Sequence, residues 1–119
     1  MHIAALVVTG IVALLHAWFL TLEMFLWQKP LGLKTFGNTP EKAALTAVLA
    51  KNQGLYNGFL VAGLAWSLVH PDAGVAVQLA RFFLGCVIVA GAYGAATVSP
   101  RIFVVQAVPA IVALALWML

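Results

Sequence analysis

Two ionisable side chains, His16 and Glu23, lie in an otherwise apolar stretch near the start of the chain. Seven residues separate them, which on a helix corresponds to about 10 Å along the axis and nearly the same face. Trp27 follows on that face. An imidazole and a carboxylate so arranged could serve as acid and base, or could hold a cationic group. Alternatively, His16 makes a hydrogen bond between helices and Glu23 lies at a membrane interface.

A second polar group occupies the segment 51–58, where three amides and one phenol occur within six residues. On a helix, Gln53 and Asn57 share one face, and Asn52 and Tyr56 share the neighbouring face. Such side chains could bind the polar end of a ligand, or they could form hydrogen bonds that hold helices together. The residue types alone leave both interpretations open.

Small residues accompany these polar groups. Gly54 and Gly58 form a GxxxG pattern that Ala62 continues, and Gly85 and Gly91 lie in a later apolar segment. Small residues at this spacing let a second helix approach closely. Since a small bundle would still expose some of these glycine-rich faces, we expect a homo-oligomer.

The overall composition indicates the environment that surrounds these residues. Of 119 residues, 65% are hydrophobic and only 8% are charged, and the mean hydropathy is +1.09. Soluble domains carry about 25% charged residues, so too few are present here to cover a surface in water. The single cysteine, Cys86, excludes a disulfide scaffold. We therefore expect an integral membrane protein in contact with membrane lipids.

Apolar helical patterns predict an all-α fold, a four-helix transmembrane bundle in one membrane domain. No basic residue precedes the first pattern, so we expect a retained span rather than a signal peptide. Thr39, Pro40 and Glu41 are typical of a helix start, and helical patterning continues from there to about Val69. Pro109 is expected to kink the last helix. The predicted spans are 3–27, 43–69, 75–98 and 102–119, with a long polar connection at 28–42.

Basic residues predict the orientation. Five of them lie in or beside the first and third connections, namely Lys29, Lys34, Lys42, Lys51 and Arg101. Arg81 is the one basic side chain near the opposite ends of the spans. Because basic residues accumulate on the cytoplasmic side, we place the connection 28–42 in the cytoplasm and both termini outside. The location expected is a bacterial inner membrane, which the chain crosses several times.

Polar residues concentrate at the cytoplasmic ends of the predicted spans. Tyr93 and Gln106 lie at about the depth of Glu23 and Asn57, whereas the outer half is almost purely aliphatic. This asymmetry predicts a polar pocket open to the inner leaflet, because intramembrane polar groups are costly unless they act together. Two ion pairs are also expected, Glu23 with Lys51 and Asp72 with Arg81.

Several kinds of site have no support in the sequence. It has none of the common metal, hydrolase or phosphate-loop motifs, and no catalytic residue or cofactor is assigned. One interior histidine and one glutamate are too few for a zinc site within a chain, although two subunits could together supply four ligands. The six scattered basic residues give no basis for nucleic-acid binding.

Several stretches together resemble a known family of small bacterial membrane proteins, the domain of unknown function 1304. They are His16, the pentapeptide 23–27 (EMFLW), Phe36–Gly37, the stretch 52–60 (NQGLYNGFL) and the stretch 106–110 (QAVPA). The resemblance covers nearly the whole chain and implies a four-helix inner-membrane protein. It implies no established activity, so no catalytic role is carried over. It does support treating the polar segments of the first, second and fourth helices as one unit.

Three functions compete. We favour binding or transport of a small amphipathic or cationic molecule, with Glu23 supplying charge and His16 a protonatable group deeper in the membrane. The alternatives are a non-catalytic assembly subunit, and a membrane enzyme acting on lipid through His16 and Glu23; an enzyme is the less favoured of the three. The ligand-binding residues predicted are His16, Glu23, Trp27, Asn52, Gln53, Tyr56, Asn57, Tyr93 and Gln106.

Overall fold

The protein is helical throughout in the computed structural model, which describes residues 2–119. Its elements are α1 (Ile3–Met24), α2 (Pro30–Phe36), α3 (Pro40–Val69), α4 (Ala73–Thr97), a π-helical segment (Phe103–Ala107) and α5 (Val108–Trp117). No strand occurs among the described residues. The all-α fold class expected from the sequence is therefore confirmed.

Two helices are long and apolar enough to cross a membrane in the described part of the chain, namely α1 and α4. Residues 103–117 form a shorter apolar helical stretch. The amides and charged residues in the first half of α3 lower its hydropathy, although its 30 residues correspond to about 45 Å. Membrane spans in α3 and the C-terminal stretch thus stay a prediction.

Side-chain caps define where α3 and α4 begin. The Thr39 hydroxyl accepts a hydrogen bond from the Lys42 N–H at 3.2 Å, as its position before Pro40 predicts. At the start of α4, the Asp72 carboxylate accepts from the Val75 N–H at 3.0 Å. Asp72 therefore caps a helix instead of pairing with Arg81, and the predicted ion pair between them is wrong. A cap requires only local geometry, whereas that pair needed two side chains nine residues apart to meet.

The connection 28–42 contains a helix that the sequence did not predict. Pro30 begins α2, because its fixed φ and missing N–H suit the first helical position. Gly37 ends it with φ +64°, a left-handed conformation that favours glycine. Gly32 lies within α2 and is buried against the preceding turn, where a Cβ would lie 1.9 Å from the Leu26 carbonyl oxygen. The turn formers thus delimit a compact helical connection rather than an irregular loop.

Pro109 follows the π-helical segment. In that segment the Val108 N–H donates to the Phe103 carbonyl, five residues back. Proline has no N–H to donate, and its ring crowds the carbonyl four residues back in a regular α-helix. The widened π turn accommodates this conflict immediately before Pro109, which is the second residue of α5.

The chain divides into two compact units. One consists of the N-terminal residues up to 14 together with 62–119. In its interior, the Trp117 indole N–H donates to the Thr9 hydroxyl at 2.8 Å, and Arg81 donates to the Trp117 carbonyl at 3.2 Å. Gly91 packs so closely on Ala107 that an added Cβ would lie 2.8 Å from the alanine Cβ. The second unit comprises residues 15–61 and holds most of the predicted site.

Candidate functional site

The Glu23 carboxylate and the Asn57 amide form a direct pair in the second unit. Glu23 lies in the last turn of α1 and Asn57 near the middle of α3. The Asn57 amide Nδ2 donates a hydrogen bond to Glu23 Oε1 at 2.5 Å. Both side chains are half-buried. Because a hydrogen bond to a charged acceptor is stronger than a neutral one, this pair offsets part of the cost of burying the carboxylate.

Glycines on α3 make the pair possible. A Cβ at Gly54 would lie 2.3 Å from Met24 Cγ and 3.3 Å from Glu23 Cβ, and one at Gly58 would lie 3.0 Å from Leu20 Cδ1. The absence of side chains at these two positions lets α3 approach α1 closely, as the GxxxG pattern predicts. Positions 54, 57 and 58 share one face of a helix, so the glycines bring Asn57 within reach of Glu23.

His16 occupies the interior two turns before Glu23. Its side chain is fully buried, and its ring meets that of Phe19 edge to face, with centroids 5.2 Å apart. The axial separation of about 10 Å between positions 16 and 23 of one helix is too long for a direct hydrogen bond between their side chains.

Three predicted ligand residues of α3 lie on its exposed surface. Asn52 and Gln53 are exposed, and Tyr56 is 57% exposed, with its ring 6.2 Å from that of Phe59. Gly54 and Asn57 pack towards α1, and Gln53 lies one turn before Asn57 at the exposed edge of that face. Asn52 and Tyr56 lie on the neighbouring face. The structure therefore does not bring them to the Glu23 carboxylate within the chain.

Two further predicted residues belong to the other unit. Tyr93 is on α4 and is 72% exposed. Gln106 lies in the π-helical segment and is half-buried. Their participation in one pocket with Glu23 stays a prediction.

Trp27 is held in the second unit by Thr46, a residue that was not among the predicted site residues. Its indole N–H donates to the Thr46 hydroxyl at 3.1 Å, and that hydroxyl donates to the Lys42 carbonyl at 2.8 Å. The Trp27 ring also packs on Phe36, with centroids 4.8 Å apart. Thr46 was not predicted because the hydroxyl of a threonine in a helix ordinarily donates only to a backbone carbonyl of the preceding turn. Its position among the polar residues in the first half of α3 was the feature that could have indicated such a role.

A cleft of about 340 Å³ opens beside Trp27. It is lined by Met24, Phe25, Trp27, Gln28, Lys29, Ala47 and Lys51. Lys51 thus lines the cleft, and within residues 2–119 it makes no ion pair with Glu23, whose carboxylate bonds Asn57 instead. The ion pair expected between Glu23 and Lys51 is not formed, because Asn57, one and a half turns further along α3, is the residue that faces α1.

The described residues contain no group of three or more His, Cys, Asp or Glu side chains placed to hold a metal ion. The single cysteine, Cys86, is a half-buried free thiol on α4. Within the second unit, the Glu23 carboxylate is half-buried and the His16 imidazole is buried, whereas Glu41 is exposed.

Comparison with known proteins assigns the chain to a protein family. The model of the family described as "Protein of unknown function (DUF1304)" matches residues 10–118. The chain belongs to the DUF1304 family. This confirms the resemblance drawn from the polar stretches, and the match includes His16, Glu23 and Asn57. A similar protein is the uncharacterized protein YpaA of Lactococcus lactis subsp. lactis (strain IL1403), 29% identical over 116 residues that cover 96% of each chain. No solved structure matches this DUF1304 protein.

Proposed function

We propose that this DUF1304 protein is a multi-pass inner-membrane protein that binds or transports a small amphipathic or cationic molecule taken up from the cytoplasmic leaflet. Four transmembrane segments, with the connection 28–42 in the cytoplasm and both termini outside, fit its composition and its distribution of basic residues. Two apolar helices of sufficient length, α1 and α4, support the membrane location.

The Glu23–Asn57 pair carries this proposal. Asn57 occupies one carboxylate oxygen of Glu23, and the other receives no hydrogen bond from residues 2–119. A half-buried carboxylate held in one orientation, with an acceptor to spare, suits an ammonium or another cationic group. Trp27 lies four residues further along the chain and offers an aromatic surface of the kind that attracts cations.

The other predicted residues take supporting roles in this proposal. His16 supplies a protonatable group deeper along α1. Asn52, Gln53 and Tyr56 form a polar exposed surface on α3, which a ligand would meet before reaching Glu23. Tyr93 and Gln106 are proposed as further ligand contacts on the strength of their depth in the sequence pattern.

Titration with a lipophilic cation tests the proposal. The purified protein in phosphatidylcholine nanodiscs is titrated with tetraphenylphosphonium, and heat of binding is measured. We expect Glu23→Gln to weaken binding about tenfold or more, since the charge attraction between a half-buried carboxylate and a cation about 4–6 Å away exceeds about 1.4 kcal/mol. The matched control is Glu41→Gln, which removes an exposed carboxylate in the first turn of α3. Equal affinity in the wild type and the Glu23→Gln variant would overturn the proposal.

Assembly is the second candidate, and the surface of α4 favours it. A Cβ at Gly85 would meet nothing within 4 Å. The shallow depression around this glycine is lined by Arg81, Phe82, Cys86, Val89, Ala90 and Tyr93. Small residues facing outward from an apolar helix fit close packing against another helix. Gly85→Leu should therefore reduce self-association in bilayers, as measured by energy transfer between labelled copies. If the Glu23 and Asn57 variants reduce self-association and leave cation binding unchanged, the assembly role replaces the transport role.

A further inference from the structure

The cleft beside Trp27 has an excess of positive charge. Lys29 lies in the turn between α1 and α2, and Lys51 lies on α3, so two separate parts of the chain contribute lysines to the lining of one cavity of about 340 Å³. Gln28 adds an amide. No carboxylate is among the residues that line it, and Glu23 is bonded to Asn57. Two cations brought to one cavity repel each other, unless an anion occupies it.

We propose that this cleft binds the phosphate group of an anionic membrane lipid. Lys29 and Lys51 are the charge donors, and the Gln28 amide supplies a further hydrogen bond. Lysine side chains suit phosphate because each ammonium carries three donors that can adjust to the phosphate oxygens. Basic pockets between helices at the cytoplasmic face of a membrane are suited to anionic lipid headgroups.

The apolar wall of the cleft favours a lipid over a soluble anion. Met24, Phe25 and Ala47 line the same cavity, and Phe25 is 66% exposed. Phe25 follows α1, a helix long and apolar enough to span a membrane. A lipid phosphate at the lysines could place its glycerol and upper acyl chain against these side chains. A small soluble phosphate would gain nothing from them.

This site borders the one proposed for the cation, because Trp27 belongs to both, but it does not contain the carboxylate on which cation binding depends. Glu23 and Asn57 are absent from the lining of the cleft. Lipid retention should therefore be unchanged in the Glu23→Gln variant, so that failure of one proposal is distinguishable from failure of the other.

Native mass spectrometry of the detergent-purified, delipidated protein tests the inference. The protein is incubated with phosphatidylglycerol, with phosphatidylcholine, or with phosphatidylglycerol and excess glycerol phosphate. We expect preferential retention of phosphatidylglycerol, with affinity reduced about fivefold by Lys29→Gln or by Lys51→Gln and about 25-fold by both. The Lys51→Arg variant, which keeps the charge, should retain the lipid. Lys34→Gln is the matched control, because Lys34 is exposed on α2 and does not line the cleft.

Three outcomes would overturn the inference. Equal retention of phosphatidylglycerol and phosphatidylcholine would show that no anion is selected. An equal loss in the Lys34→Gln variant would show that net charge, rather than the cleft, attracts the lipid. Displacement by glycerol phosphate at the concentration at which phosphatidylglycerol binds would assign the cleft to a soluble phosphate compound.

Discussion

The hydrogen bond from Asn57 to Glu23 offsets part of the free-energy cost of burying a carboxylate. An ionised group near hydrocarbon is costly unless it is hydrogen-bonded or paired, and Asn57 provides a donor without cancelling the charge. An ion pair with Lys51 would have neutralised it. The proposed function depends on this carboxylate attracting a cation with its remaining negative charge.

Single residues also determine the backbone around the site. Gly32 is the tightest case, because an added Cβ would lie 1.9 Å from the Leu26 carbonyl oxygen, and a backbone atom cannot move aside cheaply. We expect Gly32→Ala to lower the free energy of unfolding by about 1–3 kcal/mol, the usual cost of overpacking. Denaturant unfolding in detergent, followed by circular dichroism, measures the change.

Gly10→Ala is the control for that substitution. Gly10 lies within α1, and a Cβ there would meet nothing within 4 Å. Alanine at this position should leave stability unchanged or raise it by up to about 1 kcal/mol, because alanine favours helices. Equal effects of the two substitutions would contradict the tight packing of α2 on the turn that precedes it.

At the scale of elements, some features could be predicted from the sequence and others could not. The start and end of α3 were predictable because capping signals are local: Thr39 and Pro40 precede it, and His70–Pro71 follows it. Helix α2 was not predicted because Pro30, Gly32 and Gly37 also suit an irregular turn, and only the packing of Gly32 on Leu26 distinguishes the two.

The site could be predicted in part, because Glu23 and Asn57 were recognisable as candidate ligand residues from their types and positions. Their pairing depends on which residues of α3 pack against α1, and Asn52, Gln53 and Tyr56 are exposed instead.

The cap of α3 gives a prediction at this scale. Thr39→Ala removes the hydroxyl that accepts from the Lys42 N–H, and should lower the free energy of unfolding by about 1 kcal/mol. Thr35→Ala is a suitable control, since the exposed Thr35 hydroxyl only returns to the Leu31 carbonyl within α2. A loss no larger at position 39 than at position 35 would show that the cap contributes nothing to the start of α3.

At the scale of the whole molecule, the composition and the site depend on one another. A content of 8% charged residues fits a surface largely covered by lipid, as the proposed membrane location requires. In the proposed orientation, the connection 28–42, the lysines of the cleft and the carboxylate of Glu23 lie on the cytoplasmic side. The proposed access from the cytoplasmic leaflet follows from that orientation.

Topology is testable with reporters. A periplasmic reporter fused after Leu119 should be active, and the same reporter inserted at Gly37, in the turn after α2, should be inactive. A cytoplasmic reporter should show the opposite pattern. If the fusion after Leu119 is active only with the cytoplasmic reporter, the orientation is reversed and the polar residues open to the outside.

The central claim is that Glu23 and Asn57 act as one unit in binding a cation. A double-mutant cycle of tetraphenylphosphonium affinity, with Glu23→Gln, Asn57→Leu and the double variant in nanodiscs, tests it most directly. Gln78→Leu, an exposed amide on α4, serves as the control for Asn57→Leu. We predict that both single variants weaken binding and that the double variant is no worse than Glu23→Gln alone, with a coupling of about 0.5–3 kcal/mol. Losses that simply add, or no loss in any variant, would contradict the claim.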